Sequence, residues 1–452
     1  MAFPEGFVWG AASAAYQSEG GAAEGGRTPS IWDVFSHTPG CTRFGHTGDT
    51  ACDGYHRWAQ DLDLLAQAGI PNYRFSISWT RIFPTPDETP CAAGLAYYDA
   101  VVDGCRQRGI TPWITLYHWD LPQYLQEQGG WENAAAAQAF GRLAGVLAAH
   151  FRGRVRQYIT LNEPACVVGL GYESGQHAPG LRLAKPQVFA CVRHVLLAHG
   201  YAARAIRAAD PDARVGIVTT GRLCWPAGEA PADEAAAEAA TFAPLGGGGW
   251  TFVHHLYLDP VVRGCWPACA DPELAALTAA VPAAEMAQIR AVPDFIGLNI
   301  YSGQPVRAGA APGTWAEVPD VPGMPRTSLQ WPITPAVMEY GPLWVQRRYG
   351  LPVYITENGR SCCDAVFLDG AVHDADRIDF LHRYLLALQR GIARGSGVRG
   401  YFQWSLTDNF EWSEGYEPRF GLIYIDYADG RRIPKDSLRW YGRVAAENGA
   451  LL

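Results

Sequence analysis

The stretch PVYITENG, residues 352–359, is the most informative part of this sequence. Its first residues are apolar and β-branched, which is typical of a buried strand, and its last three are Glu357, Asn358 and Gly359. A glycine at that point allows backbone conformations that other residues avoid, and so it ends the strand. The stretch therefore predicts a buried strand that carries one carboxylate at its C-terminal end.

A second stretch, YITLNEP at residues 158–164, has the same construction. A strand-like apolar run again ends on a glutamate, Glu163, and Pro164 stops the strand because proline has no N–H for the sheet. Each glutamate alone is most simply a surface residue at the start of a loop. Found together in the same context, the two predict paired carboxylates that meet across the mouth of a barrel.

The rest of the chain supplies the other strands of such a barrel. Strand-like runs occur at residues 7–14, 73–79, 111–117, 158–161, 214–218, 295–301, 352–357 and 400–406. Helical spacing of apolar residues separates most of them, at 58–65, 97–108, 133–151, 188–209 and 378–388. Eight strands interleaved with helices and no internal linker predict an α/β fold, a single (β/α)8 TIM barrel domain that spans residues 1–452.

Two irregular segments interrupt this alternation. Residues 226–249 are rich in Ala, Glu, Pro and Gly, and we predict an inserted loop with a short helix there. Residues 303–325 are rich in Gly and Pro and predict a long loop over the active-site mouth.

Composition excludes several classes of protein. The net charge is -9, and no cluster of Lys and Arg appears, so we expect no nucleic-acid partner. The sequence contains no run of 18 apolar residues, so we expect no membrane span. The eleven cysteines lack the spacing of zinc ligands, so we expect no metal and no cofactor. The first residues do not have the pattern of a signal peptide, and we expect a cytoplasmic protein with reduced thiols.

Six short motifs along the chain carry a resemblance to one family. They are AYQ at 15–17, YRFS at 73–76, HWDLP at 118–122, TLNEP at 160–164, ITENG at 355–359 and DNFEW at 408–412. In this order they resemble the family 1 glycoside hydrolases, the β-glucosidase family, over residues 7–441. The resemblance implies a retaining β-glycosidase, most simply a β-glucosidase that acts on small β-glucosides such as cellobiose or aryl glucosides.

The resemblance also implies the role of each glutamate. Glu163 corresponds to the general acid/base and Glu357 to the nucleophile of a double displacement through a covalent glycosyl-enzyme. Arg74 and Tyr301 match the residues that support the nucleophile, and they would hold Glu357 ionised. Fewer charges surround Glu163, which favours a raised pKa and a proton available near neutral pH.

A ring of polar and aromatic residues is implied around the sugar. The glycone contacts expected from the resemblance are Gln17, His118, Asn162, Asn299, Tyr301, Trp404, Glu411 and Trp412, with Phe420 beside Trp412. Trp331 matches a stacking platform on the aglycone side. The same polar ring accepts several sugar epimers, so glucoside, galactoside and fucoside preference stays open, as does the oligomeric state.

Two alternatives compete with a β-glucosidase. A 6-phospho-β-glycosidase of the same family needs cationic groups where this chain has Glu411-Trp412-Ser413-Glu414, and a glutamate would repel a phosphate. A non-catalytic sugar-binding barrel would be expected to lack one of the two glutamates, whereas this chain keeps both.

Overall fold

The computed structural model describes residues 2–311 and 313–452. Its strands in chain order are β1 Val8–Ala12, β2 Asn72–Ser76, β3 Thr111–Tyr117, β4 Gln157–Asn162, β5 Arg214–Thr219, β6 Cys224–Pro226, β7 Phe295–Asn299, β8 Gln304–Ala308, β9 Trp315–Glu317, β10 Val353–Asn358, β11 Val398–Trp404, β12 Ile423–Asp426 and β13 Arg431–Pro434.

Fifteen α-helices alternate with these strands in the described residues. They are α1 Ala15–Ser18, α2 Ile31–His37, α3 Gly54–Gln67, α4 Trp79–Ile82, α5 Ala92–Gln107, α6 Gln123–Gln126, α7 Ala134–His150, α8 Lys185–Ala209, α9 Pro231–Thr241, α10 His254–Leu258, α11 Pro272–Ala279, α12 Ala283–Ile289, α13 Val337–Tyr349, α14 Ala375–Ala393 and α15 Asp436–Ala446. Within the described residues, none has the length and hydropathy that crossing a bilayer requires.

Eight of the strands close into a parallel barrel in the order β1-β11-β10-β7-β5-β4-β3-β2. Every residue of β7 and β10 is buried, as expected for parallel strands whose two faces are both covered. The prediction of a (β/α)8 TIM barrel is therefore confirmed. The carboxyl ends of all eight strands meet at one rim, where the functional sites of such barrels form.

Aromatic side chains fill the barrel interior. The ring of Trp113 lies 5.6 Å from Phe295, 5.2 Å from Tyr354 and 5.1 Å from Phe402, each measured between ring centroids. All four are buried. Because the rings come from four different strands, their packing joins these strands in the interior of the barrel.

The outer layer of helices packs closely where small residues allow it. Asn133 caps α7 through its side-chain oxygen, which accepts a hydrogen bond from the N–H of Ala135 at 3.0 Å. A Cβ added to Gly141 of this helix would lie 2.7 Å from the Cβ of Tyr201 on α8. The Ala-rich predicted helix at 133–151 is thus confirmed, and its glycine is required by the close approach of α8.

The predicted long loop at 303–325 is wrong in part, because it contains two strands. Strand β8 pairs in parallel with β6 and antiparallel with β9, so a three-stranded sheet stands beside the barrel. The sequence did not predict these strands, because residues 303–325 are rich in glycine and proline and both are depleted in strands. The inserted segment at 226–249 does contain a helix, α9.

Several predicted strand ends differ from the structure by a few residues. The second strand stops at Ser76, because Trp79 already begins the short helix α4. The sixth predicted strand stops at Asn299, two residues before Tyr301. At these ends the backbone leaves the barrel ladder earlier than the apolar pattern predicts.

Candidate active site

The two glutamates found by sequence lie at the rim of the barrel. Glu357 is the second-last residue of β10, and Glu163 follows directly after β4. Both line one cavity of about 540 Å³, a size that accommodates a small ligand. Nine of the predicted site residues line this cavity: His118, Glu163, Asn299, Tyr301, Trp331, Glu357, Trp404, Glu411 and Trp412.

Four predicted site residues lie behind the cavity wall. Gln17, Arg74 and Asn162 are fully buried, and each contacts a residue that lines the cavity. Phe420 was expected beside Trp412, but its ring packs 6.1 Å from that of Tyr301 and 6.0 Å from that of Trp331. Each of the four therefore contacts a lining residue, and their predicted roles at the site stay predictions.

Glu357 has the surroundings of an ionised carboxylate. The Arg74 Nη1 donates to its Oε1 at 2.7 Å, and the Tyr301 hydroxyl donates to its Oε2 at 2.8 Å. Burial raises the pKa of Glu357, but the Arg74 charge and these hydrogen bonds oppose that rise. The guanidinium is itself completely buried, so water does not screen the ion pair.

Glu163 has the surroundings of a carboxylic acid. Burial, followed by the neighbouring charge of Glu357, raises the pKa of Glu163 to about 8. Two donors oppose this rise: the Asn299 Nδ2 lies 2.6 Å from Oε1, and the Cys166 Sγ lies 3.1 Å from Oε2. The two glutamates interact electrostatically, so they titrate as a pair. When the pair holds one proton, the contacts favour Glu163 as the residue that carries it.

A chain of hydrogen bonds links the two carboxylates. Arg74, which holds Glu357, also donates from Nη2 to the Asn162 Oδ1 at 2.5 Å. That oxygen also accepts from the Asn299 Nδ2 at 3.1 Å, and Asn299 in turn holds Glu163. Four strands thus contribute one connected network, which fixes the two carboxyl groups relative to each other.

The backbone at Glu163 adopts a conformation that most residues avoid. Its φ is 49°, in the left-handed region, which costs about 1 to 2 kcal/mol for a residue other than glycine. The Glu163 N–H donates to the Val218 carbonyl at 3.0 Å and holds this geometry. Trp119 and Trp412, which also line the cavity, have φ values of 80° and 53°. Such strain clusters at functional sites.

The polar groups around the rest of the cavity are mostly uncharged. Burial lowers the pKa of His118 well below its ordinary value, so the imidazole is neutral. Burial, with the charges of Glu357 and Glu163, raises the pKa of Glu411 to about 8. The ring of His118 stacks on that of Trp404, with 5.7 Å between centroids. Neutral donors and acceptors beside aromatic faces suit a hydroxylated, uncharged ligand.

Sequence reasoning missed several residues that line the cavity. Cys166 and Leu170 lie on the π-helix Cys166–Glu173, which begins three residues after Glu163. His177 and Phe252 come from loops further along the chain. Apolar residues after a strand predict an ordinary helix, and nothing in the sequence signals that Cys166, at the start of the π-helix, lies at the cavity.

Gly359 needed a different explanation from the one the sequence suggested. Its φ is not positive, so the glycine is not needed for an unusual backbone conformation. An added Cβ would lie 1.9 Å from the Trp404 carbonyl oxygen, which is sterically impossible. The glycine therefore permits the end of β10 to approach the end of β11.

Metal-ligating side chains come together elsewhere in the described residues. Ligand atoms of Cys362, Asp364 and Asp376 lie within 4.8 Å of one another. Asp364 is already paired with the guanidinium of Arg377 and the ammonium of Lys435. The Asp364 carboxylate, which a metal ion would need as a ligand, is thus already paired with two cations.

Fold and site together define a barrel glycoside hydrolase, and comparison with known proteins gives the family. The sequence model of glycosyl hydrolase family 1 matches residues 1–450. Beta-glucosidase A of Thermotoga maritima is 40% identical, covering 99% of this chain and 98% of its own. A bifunctional beta-D-glucosidase/beta-D-fucosidase of Bifidobacterium breve is 42% identical, covering 100% and 99%.

Solved structures agree with the sequence comparison. The T. maritima beta-glucosidase in complex with glucoimidazole superposes with a TM-score of 0.88 at 40% identity, covering 99% of both chains. The chain belongs to glycosyl hydrolase family 1. It is a glycosidase, and its substrates are small glycosides that it hydrolyses with retention of configuration.

Proposed function

We propose that this chain is a β-glucosidase in which Glu357 is the nucleophile and Glu163 the general acid/base. It removes terminal non-reducing β-D-glucosyl residues from small substrates such as cellobiose and aryl glucosides. The observation that carries the assignment is the unequal environment of the two carboxyl groups. Arg74 and Tyr301 favour the ionised form of Glu357, whereas burial favours the protonated form of Glu163.

In the first step Glu357 attacks the anomeric carbon while Glu163 protonates the departing oxygen. The C–O bond to the aglycone breaks, and a covalent glycosyl-enzyme forms with inverted configuration. In the second step Glu163, now ionised, takes a proton from a water molecule while the oxygen of that water attacks the same carbon. The bond to Glu357 breaks, and the second inversion restores the β configuration of the sugar.

The cavity is lined by two chemical kinds of side chain, and both suit this assignment. His118, Trp404, Glu411 and Trp412 provide polar and aromatic groups for the glycone. Leu170, Phe252, Leu329 and Trp331 provide an apolar surface that suits an aryl aglycone. Relatives at about 40% identity carry the names beta-glucosidase and 1,4-beta-D-glucan glucohydrolase, which supports a glucosyl substrate.

We propose residues 1–452 as one catalytic domain, because strands from the first to the last third close a single barrel. We also propose a cytoplasmic location, because all eleven cysteines are free thiols, as is usual in a reducing compartment.

Azide rescue of two variants tests the two roles separately. Glu357→Gly should lose activity on every substrate, and added azide should attack an activated β-glucoside directly to give the α-glucosyl azide. Glu163→Gly should still be glycosylated by substrates with good leaving groups, such as 2,4-dinitrophenyl β-glucoside. Turnover should fall about 10²- to 10⁴-fold for want of a base, and azide should restore it with the β-glucosyl azide as product.

The anomer of each azide product, measured by NMR, decides the assignment. The α-azide from Glu357→Gly together with the β-azide from Glu163→Gly supports it, whereas the reverse pattern, or the same anomer from both, contradicts it. Glu414→Gly is a matched control, because Glu414 also lines the cavity but contacts neither Glu163 nor Glu357 through a hydrogen bond in the described residues. With added azide, Glu414→Gly should give the same products as the wild type.

A further inference from the structure

One thiol lies against the carboxyl group that donates the proton. Cys166 is three residues beyond Glu163, at the start of the π-helix Cys166–Glu173. Its backbone N–H donates to the Glu163 carbonyl at 2.9 Å, and its Sγ lies 3.1 Å from the Glu163 Oε2. Both side chains line the same cavity. A single turn of the chain therefore brings the thiol to the acid.

The contacts of Glu163 assign different roles to its two oxygens. Oε1 accepts from the Asn299 Nδ2 at 2.6 Å, and an amide nitrogen can only donate. An amide N–H donates more strongly than a thiol, and the carbonyl oxygen of a carboxylic acid accepts better than its hydroxyl oxygen. Oε1 is therefore favoured as the carbonyl oxygen, and Oε2 is favoured as the oxygen that carries the acid proton. Oε2 is also the oxygen that Cys166 contacts.

We propose that Cys166 is a positioning residue for Glu163, because its S–H donates to Oε2. The thiol occupies one lone-pair direction of that oxygen, which leaves the other direction for the acid proton. In the second step the same S–H stabilises the ionised carboxylate that acts as base. This proposal rests on the proposed role of Glu163 as acid/base.

The thiol is in the right protonation state for this task. Burial, together with the negative charge of Glu163, raises the pKa of Cys166 well above its ordinary value, so the sulfur keeps its proton and remains a donor. A thiol is a weak donor, so it tunes the carboxyl group without preventing its protonation. The charged and titratable groups that act on Glu163 are Arg74, Cys166, Tyr301, Glu357 and Glu411.

Replacing the thiol should move the pH profile in a defined direction. In Cys166→Ala the ionised form of Glu163 loses a donor, so its pKa rises. With phenyl β-glucoside, which needs acid assistance, the alkaline limb of kcat/KM should move upward by about 0.5 to 1 pH unit. With 2,4-dinitrophenyl β-glucoside, for which the second step limits turnover, the acidic limb of kcat should move upward as well.

Cys166→Ser provides the rescue, because a serine hydroxyl also donates a hydrogen bond. Both limbs of Cys166→Ser should lie closer to those of the wild type than the limbs of Cys166→Ala do. Leu170→Ala is the matched control, since it trims a neighbouring lining residue on the same π-helix and removes no donor. Its rates can change, but its limbs should coincide with those of the wild type.

Three results would overturn the proposal. In the first, the limbs of Cys166→Ala coincide with those of the wild type. In the second, the alanine and serine variants displace the limbs equally. In the third, Leu170→Ala displaces its limbs. Each can occur while azide rescue still assigns Glu163 as acid/base, so failure of the thiol's role is separable from failure of the proposed function. Measuring the wild type and Cys166→Ser alone remains decisive if the alanine variant does not fold: a serine profile displaced upward in pH by about 0.5 to 1 unit would contradict a donor role, because a hydroxyl donates at least as well as a thiol.

Discussion

Tyr301→Phe removes one hydroxyl that touches Glu357 and should displace the acidic limb of activity. The hydroxyl donates to the Glu357 Oε2 at 2.8 Å, and burial raises the pKa of Tyr301 well above its ordinary value, so the proton stays on the phenol. A hydrogen bond to a charged group contributes about 1.5 to 3 kcal/mol. At about 1.4 kcal/mol per pKa unit, its loss should raise the pKa of Glu357 by about 1 to 2 units.

The sign of the effect follows from the need for an ionised nucleophile. A higher pKa of Glu357 leaves less carboxylate at acidic pH, so the acidic limb of kcat/KM should move upward by about 1 to 2 pH units. At any pH below the limb, kcat/KM should fall about tenfold for each pH unit that the limb moves. The measurement is the pH profile of kcat/KM with an aryl β-glucoside over the stable range of both proteins.

The rest of the Tyr301 side chain should stay in place in this variant. The ring packs 5.2 Å from that of Trp331, and the Tyr301 carbonyl still accepts from the Tyr384 hydroxyl at 2.9 Å. Tyr73→Phe is the control, because it removes a buried hydroxyl that bonds to Ser13 at 2.6 Å, away from the cavity. An acidic limb of Tyr301→Phe that coincides with that of the wild type would refute the reasoning.

Three further predictions concern substrate charge, stability and thiols. Because His118, Trp404, Glu411 and Trp412, the residues proposed to hold the glycone, offer no cation to pair with a phosphate, aryl β-glucosides should be cleaved at least about tenfold faster than their 6-phosphates, and equal rates would contradict this. Lys435→Met removes a buried ammonium that pairs with Asp364 and Asp408 and leaves each of them with one arginine only, so it should cost about 3 to 5 kcal/mol in urea unfolding. Lys185→Met, at a partly exposed pair, should cost much less. Thiol titration of the denatured protein without reductant should find eleven groups, and the native protein should react fastest at its two exposed cysteines.

Barrel strands could be predicted from sequence because each is an apolar run between helices of regular period. The predicted strand at 111–117 matches β3 at both ends, since all but one of its residues are buried. Strands β8 and β9 could not be predicted in the same way. Glu317 of β9 is exposed and β8 carries Pro305, so neither strand shows an apolar run. Their pairing depends on contacts that are distant in sequence.

The site could be predicted where a residue type and a strand end coincide. Glu163 and Glu357 both follow apolar strands, and the structure brings both to one cavity. Cys166 gave no such signal, because a cysteine among apolar residues is usually a packing residue. Its contact with Glu163 arises from the tight turn that follows β4, in which the Cys166 N–H bonds to the Glu163 carbonyl, and such a turn leaves no periodic pattern in the sequence.

The small sheet beside the barrel constrains how this enzyme could be engineered by loop exchange. β6 follows barrel strand β5, whereas β8 and β9 follow barrel strand β7, and the ion pair of Arg222 with Glu317 at 2.7 Å joins the two segments again. Residues next to both segments line the cavity. A chimera that took only one segment from a homologue would leave a strand edge unpaired and exposed to aggregation. The two segments therefore form one transplantable unit, and new aglycone specificities are most safely introduced by exchanging both at once.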